Sequence, residues 1–443
     1  MYNVHISKYL SLIFETPEDS SSWFGYYNYD TLNENQSKML SCRALHDAEL
    51  PRKGYLVDVG YYDIPSGTWH KVGSSDSYNW PQGCMVQWLP NTHGTSIIYN
   101  TSCNNRLISR IFDIDNGKSR DIDWPIYGIT PDGKKSISID LERSYFSLAY
   151  HYESVVNEEK NVRVLPGDGI FEIDLETNTR KCIIPIESII EADYDPMFAE
   201  CKHWLEHVMI SPSGTKFCFL HRFCPLNDIH KRQTRLCIAD IDGNNLQIIN
   251  GWKKFNWSHF GWDGDKAFSI YTYVKCNSFP PLSHVGEWAK LFFRKAIGLY
   301  TRLYAPSKRK TIRDSILGQD SYYQYYTLNS NGMFEHSENL KCKEFSIDGH
   351  QSYTKDGCFM IADTYPDDEN YQKLLLYSKE KKKVLELGKL YAGLNKKPGS
   401  CDLHPKLCRN NNLLVVDSAY NGQHHMLLFR INWDLINKYF KGV

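Results

Sequence analysis

Short runs of alternating apolar and polar residues, each closed by a Gly, Pro, Asn or Asp turn, recur along this chain. That period of two belongs to half-buried strands, and the runs are too short for helices. The clearest unit opens with His207-Val-Met-Ile-Ser-Pro-Ser-Gly214 and continues through apolar runs at Phe217 to Arg222, Thr234 to Ile241 and Leu246 to Ile249. Four strands joined by tight turns predict one antiparallel sheet. A second copy runs from His350 through Gly357, with strands at Phe359 to Thr364, Lys373 to Ser378 and Val384 to Leu387. A third opens at His404, with strands at Leu413 to Ser418 and Met426 to Ile431.

Weaker copies begin near Gln82, near Ile126 with its turn Thr130-Pro-Asp-Gly133, and near His259 before Asp263-Gly264. The first copy is predicted at Phe24 to Asn28, Lys38 to Arg43 and Tyr55 to Asp63. Seven units at roughly 45 to 55 residues, two insertions set aside, predict an all-β, seven-bladed β-propeller of four-stranded blades spanning 1–443 as a single domain. Ring closure protects the sheet edges, and residues near the N-terminus are expected to complete the final blade. The insertions fall at about 144–168, inside the third blade, and about 276–320, inside the fifth.

Composition agrees with a β-rich globule: aromatic residues are 14% of the chain, with 30 Tyr and 11 Trp. The charges nearly cancel, 51 basic against 52 acidic, so no global field recruits nucleic acid. Thirteen cysteines without a C-x-x-C pair are expected to be reduced, mostly as small buried hydrophobes. The apolar run Tyr9 to Phe14 is too short for a secretory segment, which points to a cytoplasmic protein.

Candidate chemistry gathers at one rim. Residues that open the first strand of a blade and residues that end the second lie at the same mouth of the channel, because the strands are antiparallel. His207, His350 and His404 hold equivalent opening positions, with His259 within one residue of it. The second-strand ends carry Asn100, Asp140, His221, Arg222, Asp363 and Asp417, while Gln351 and Asp402 stand beside two of these histidines and Gln82 stands near the opening of one of the weaker copies. Imidazoles with carboxylates and amides suit a divalent metal such as Mn²⁺ or Zn²⁺. The structural alternative is that these histidines tie neighbouring blades together, and that Asp363 and Asp417 bond nearby backbone. Nucleotide-binding, serine-hydrolase and zinc-protease motifs are missing from the sequence.

Three segments carry a closer resemblance: His207 to Gly214 with Leu220-His221-Arg222, Gly349-His350-Gln351 with Ala362-Asp363-Thr364-Tyr365-Pro366, and Asp402-Leu403-His404-Pro405 with Asp417-Ser418. In these the chain resembles the oligogalacturonate lyase family and, more broadly, WD40-like propeller repeats. The resemblance implies β-elimination of uronate oligosaccharides at a Mn²⁺ site, Mn²⁺ being expected ahead of Zn²⁺. His350 and His404 would be ligands, assisted by Gln351 or Asp402; His207 or His259 would be the base; Arg222 would meet the substrate carboxylate. Asn100, Asp140, His221, Asp363, Asp417 and Gln82 would bind saccharide. The family places a second histidine close to the last one, where this chain has Asp402, two residues before His404. Trp80-Pro81-Gln82-Gly83-Cys84 is also similar to segments of propellers linked to bacterial surface-polysaccharide assembly.

The alternative is a non-catalytic propeller that binds a saccharide or protein partner. Val285 to Tyr304 shows helical spacing of Trp288, Leu291, Phe292, Ala296, Ile297, Tyr300 and Tyr304. Eight basic residues between His284 and Arg313 face Glu287 alone. This predicts a basic amphipathic helix in blade five, suited to an anionic inner-membrane surface or an acidic partner, or packed on the propeller with its basic face solvated.

Overall fold

Residues 4–44, 51–143, 152–155, 162–226, 228–274, 320–394, 399–408 and 410–442 are described by a computed structural model. Each repeat becomes one antiparallel sheet whose strands follow chain order from the central channel outward, and seven sheets make a seven-bladed β-propeller. Four carry the site: the fourth blade (Cys201–Ile210, Lys216–Pro225, Gln233–Asp240, Gln247–Ile248), the fifth (Phe255–Trp262, Ala267–Val274, Ser321–Leu328, Phe334–Leu340), the sixth (Gln351–Tyr353, Phe359–Asp363, Tyr371–Ser378, Lys383–Tyr391) and the seventh. The seventh takes Lys406–Leu407, Leu413–Ser418 and His425–Ile431 from the end of the chain and its outer strand, Leu10–Glu15, from the beginning. His5–Ile6 adds a fifth strand to the sixth blade. The two chain ends thus close the ring by backbone hydrogen bonding, as the short final repeat predicts. The basic stretch 284–313 and the helix expected there lie outside the described residues, as does most of 144–168.

The core lies in the wedges between blades. Leu205, Val208, Phe217 and Phe219 of the fourth blade share one buried cluster with Ile137, Ile170 and Ile173 of the third. Phe217 and Phe219 are fully buried, each contributing on the order of 2 kcal/mol of hydrophobic stabilisation. Among the described residues every cysteine is a free thiol.

The first repeat departs from its prediction. Its inner strand is Ser21–Trp23, and Phe24 to Asn28 are not strand. Gly25 turns the chain with φ 98°, and a Cβ there would lie 2.5 Å from the Gln82 carbonyl carbon. The segment instead reaches toward distant blades: Tyr27 Oη donates to the Phe260 carbonyl at 2.6 Å, and Tyr29 Oη to the Tyr127 carbonyl at 3.1 Å. Apolar alternation could not separate a strand from a channel-filling segment, since both are buried.

One buried carboxyl sits apart from this channel. Asp168 accepts from the Gly169 N–H at 2.6 Å, while its other oxygen is buried without a partner. Burial, reinforced by Asp140, lifts its pKa from an ordinary 3.8 to about 8. The folded chain therefore keeps a proton that the unfolded chain releases, so the contribution is full below about pH 4 and is lost as pH rises toward 8. Asp168→Asn is expected to gain stability over wild type by up to about 1.4 kcal/mol per pH unit across this window. Urea unfolding at about pH 5 and about pH 8 checks this; an equal difference at both would contradict it.

Candidate metal centre

Bulges aim two of the rim histidines. The ladder slips between Glu206 and Met209 in the fourth blade and between Trp257 and Phe260 in the fifth, at His207 and His259 respectively. An extra residue there turns a side chain away from the regular alternation. His207 and His404 also hold left-handed backbone, φ 59° and 43°, an uncommon conformation for a residue with a side chain.

His259, His350 and His404 converge. Ring centroids are 3.9 Å apart between His259 and His350, and 4.2 Å between His350 and His404, with the Tyr27 ring against all three. Ligand atoms of His350, Asp402 and His404 lie within 4.8 Å of one another. His207 stands farther round, 5.5 Å from the ring of Tyr26.

Each imidazole in the cluster is oriented by a neighbour. Asp363 takes His350 Nδ1 at 3.1 Å and the His350 backbone N–H at 2.5 Å, which leaves Nε2 to ligate. One His404 ring nitrogen is bonded to the Gly25 backbone. Such outer partners fix tautomer and ring orientation at metal sites. Gly349 makes the Asp363 contact possible: a Cβ there would lie 2.0 Å from the Asp363 carbonyl oxygen.

Burial disfavours a charged His350, but the Asp363 carboxylate outweighs it and holds the pKa above the ordinary value. Burial pushes Asp402 up to about 6, His350 opposing and the Asp363 and Asp348 carboxylates adding to the rise. Burial, with His350 and Lys406 nearby, keeps His404 well below its usual range, hence neutral, the form in which an imidazole can ligate a metal. Two imidazoles and a carboxylate, crowded by further carboxylates, are a donor set that fits a divalent cation and leaves coordination positions open.

His259 has a different partner. Its Nδ1 lies 3.2 Å from Asp348 Oδ1, and its Nε2 lies 3.4 Å from Tyr365 Oη. Burial, with His350 close by, lowers its pKa, although Asp348 opposes. With Nδ1–H given to Asp348, Nε2 carries the lone pair.

The structure directs several expected site residues elsewhere. Asn100 bonds both the N–H and the carbonyl of Ile126, at 2.8 and 2.9 Å, and so pins the second blade to the third. Asp417 accepts from the N–H groups of Phe24 and Gly25 at 3.2 and 3.0 Å and from Lys406 at 3.1 Å, so it pins the seventh blade to the first. Asp363 joins the sixth to the seventh through the His404 N–H at 2.9 Å. For Asp417 the structural alternative describes these contacts, whereas Asp363 is both staple and support for His350.

Asp140 caps the Glu142 and Arg143 N–H groups, and Gln82 donates to Tyr127 Oη at 2.7 Å. His221 is fully buried, accepting from Arg235 Nε at 3.2 Å and bonded to His203 Nδ1 at 2.9 Å. Since Arg235 can only donate, His221 donates to His203, which in turn donates to the Phe198 carbonyl at 3.0 Å. Arg222 Nε is held by Glu206 at 3.1 Å and its guanidinium reaches Thr234 Oγ1 at 2.5 Å. His207 Nδ1 lies 3.4 Å from the same Glu206, and burial lowers its pKa to about 4. Gln351 turns its Nε2 to the Ser269 carbonyl at 3.0 Å, with its Oε1 buried and unpartnered.

Sequence reasoning gave no site role to Asp348, Tyr365, Tyr26 or Tyr27. Asp348 had a signal: it stands two residues before His350, as Asp402 stands before His404. Each of these aspartates reaches back to the histidine of the preceding blade, Asp348 to His259 and Asp402 to the His350 site.

Fold and cluster together define the class: a seven-bladed β-propeller with a buried imidazole and carboxylate cluster among its inner strands. No protein-family model matches the chain, and no curated protein sequence does. Among solved structures the fold resembles an oligogalacturonate lyase in complex with manganese, at 13% identity and TM-score 0.60, covering 97% of this chain and 96% of that one. The oligogalacturonate lyase of Vibrio parahaemolyticus matches at 13% identity and TM-score 0.59, over 97% and 96% of the two chains. At this identity the likeness shows the fold, and chemistry has to be argued from the site.

Proposed function

We propose that the protein is a divalent-metal-dependent lyase that cleaves uronate-containing oligosaccharides by β-elimination, with Mn²⁺ ahead of Zn²⁺. The reading is carried by the His350, Asp402 and His404 cluster standing ring to ring with the Asp348-supported His259. The proton alpha to a uronate carboxylate is weakly acidic, and its removal needs both charge neutralisation and a base. A bound cation would be held by His350, Asp402 and His404 and would neutralise the substrate carboxylate as charge develops beside it.

His259 is the base in this reading. Asp348 orients its ring and stabilises the imidazolium that forms, while Nε2 stays available. His207 is less suited, because its Nδ1 faces a Glu206 already paired with Arg222. The same pairing leaves Arg222 partly neutralised, so the substrate carboxylate depends on the cluster.

The test is incubation of purified protein with uronate oligosaccharides, following ultraviolet absorbance of the unsaturated product before and after chelation. Cleavage that chelation abolishes and Mn²⁺ restores is expected. A protein without bound metal or cleavage, even after reconstitution, would overturn the reading and leave a binding propeller.

A further inference from the structure

β-Elimination needs a second proton transfer, to the oxygen that leaves C4, and the cluster contains a hydroxyl placed to make it. Tyr365 Oη sits 3.4 Å from His259 Nε2, at the end of a chain of groups that starts at Tyr273. Tyr273 Oη donates to Asp348 Oδ2 at 3.0 Å, and Asp348 Oδ1 takes His259 Nδ1 at 3.2 Å. Because Nδ1 carries the imidazole proton, Nε2 accepts and Tyr365 donates.

Asp348 fixes both ends of this arrangement. Its carboxylate orients His259, while its carbonyl accepts the Tyr365 backbone N–H at 2.7 Å. Along the chain exposure increases toward Tyr365: Asp348 is 2% exposed and His259 is 6% exposed, whereas Tyr365 is only half-buried. The Tyr365 ring also stands edge-on to His350, 5.7 Å between centroids, so it packs against a ring of the cluster as well as against His259. Pro366 follows it directly and restricts its backbone to extended conformations.

We propose that Tyr365 is a catalytic residue, the proton donor to the leaving oxygen; this rests on the lyase reading above. His259 Nε2 takes the C5 proton, the C–H electron pair forms the C4–C5 double bond, and the C4–O bond breaks. The departing oxygen takes the Tyr365 proton. The tyrosinate then recovers a proton from the His259 imidazolium along the hydrogen bond they already share. The hydroxyl proton of Tyr365 thus leaves with the departing oxygen, the proton removed from C5 replaces it through His259, both side chains return to their starting protonation states, and no outside co-reactant is consumed.

Tyr365→Phe removes the hydroxyl and keeps the ring against His350. Its turnover should be measured on a uronate oligosaccharide and on a uronate whose C4 leaving group is a phenol, which departs without protonation. The expected result is a loss of about a hundredfold or more on the oligosaccharide, within the usual range for general acid catalysis, and near wild-type turnover on the phenol ether. Bound Mn²⁺ should be unchanged. Equal losses on the two substrates, or no loss on either, overturn the role of Tyr365 while the lyase reading stands. A wild-type protein that cleaves neither substrate overturns both.

Discussion

Replacing His350 and His404 together by alanine is expected to take bound divalent metal from about one equivalent per chain to none, because a single carboxylate cannot hold such an ion alone. These residues supply two of the three ligand atoms that lie within 4.8 Å of one another, and Asp402 is the third. Metal content by mass spectrometry on untagged protein, wild type beside the double variant, measures it. The fold should survive, since the ring is held by backbone ladders and by wedges of core remote from this cluster. A variant with an unchanged circular dichroism spectrum and no metal would establish the centre. A variant that retains its metal would place the ion elsewhere, and lyase chemistry at this cluster would fall with it.

Asp417→Ala is expected to cost about 3–5 kcal/mol of stability, because it strands a buried ammonium and unties the ring seam. Asp417 and Lys406 are 2% and 3% exposed and pair at 3.1 Å. Burial raises the Asp417 pKa, and the Lys406 ammonium and the Gly25 and Phe24 N–H groups act against it. Without the carboxylate, Lys406 keeps the His404 carbonyl at 2.8 Å, the Gly25 carbonyl at 3.4 Å and the face of the Phe24 ring, none of which carries a negative charge. Phe24 and Gly25 lose their acceptor where the first blade meets the seventh. A loss of this size is a large share of a typical folding free energy. Replacing both partners by apolar residues, Lys406→Met with Asp417→Leu, should recover part of it, since no buried charge is then left unpaired. Urea denaturation of the single and double variants decides the matter. A single-variant loss below about 1 kcal/mol would show that the pair does not hold the seam.

The repeated fold was legible because a propeller blade is a local object. Ser-Pro-Ser-Gly214, Thr-Lys-Asp-Gly357 and the apolar runs after them specify hairpins through turn chemistry and period-two burial, and both are written in contiguous residues. The histidines of the site were legible for the same reason, since equivalent positions in successive blades must meet around one channel. The short seventh repeat also signalled its need for a strand from the other chain end, which Leu10–Glu15 supplies.

What a polar side chain bonds to was decided by the tertiary structure alone. Asn100, Asp363 and Asp417 hold comparable places at second-strand ends, and all three bond backbone of a neighbouring blade, while Asp363 also orients His350. Phe24 to Asn28 has the composition of a strand, but Gly25 and the Asp417 carboxylate turn it out of its sheet. Asp348 and Asp402 share one offset from a histidine, and only the packing of consecutive blades makes the first a partner for His259 and the second a candidate ligand. Turn type and burial period are properties of a few neighbouring residues. The partner of a buried polar atom is set by chain segments that can be hundreds of residues away, as Gly25 and Asp417 are.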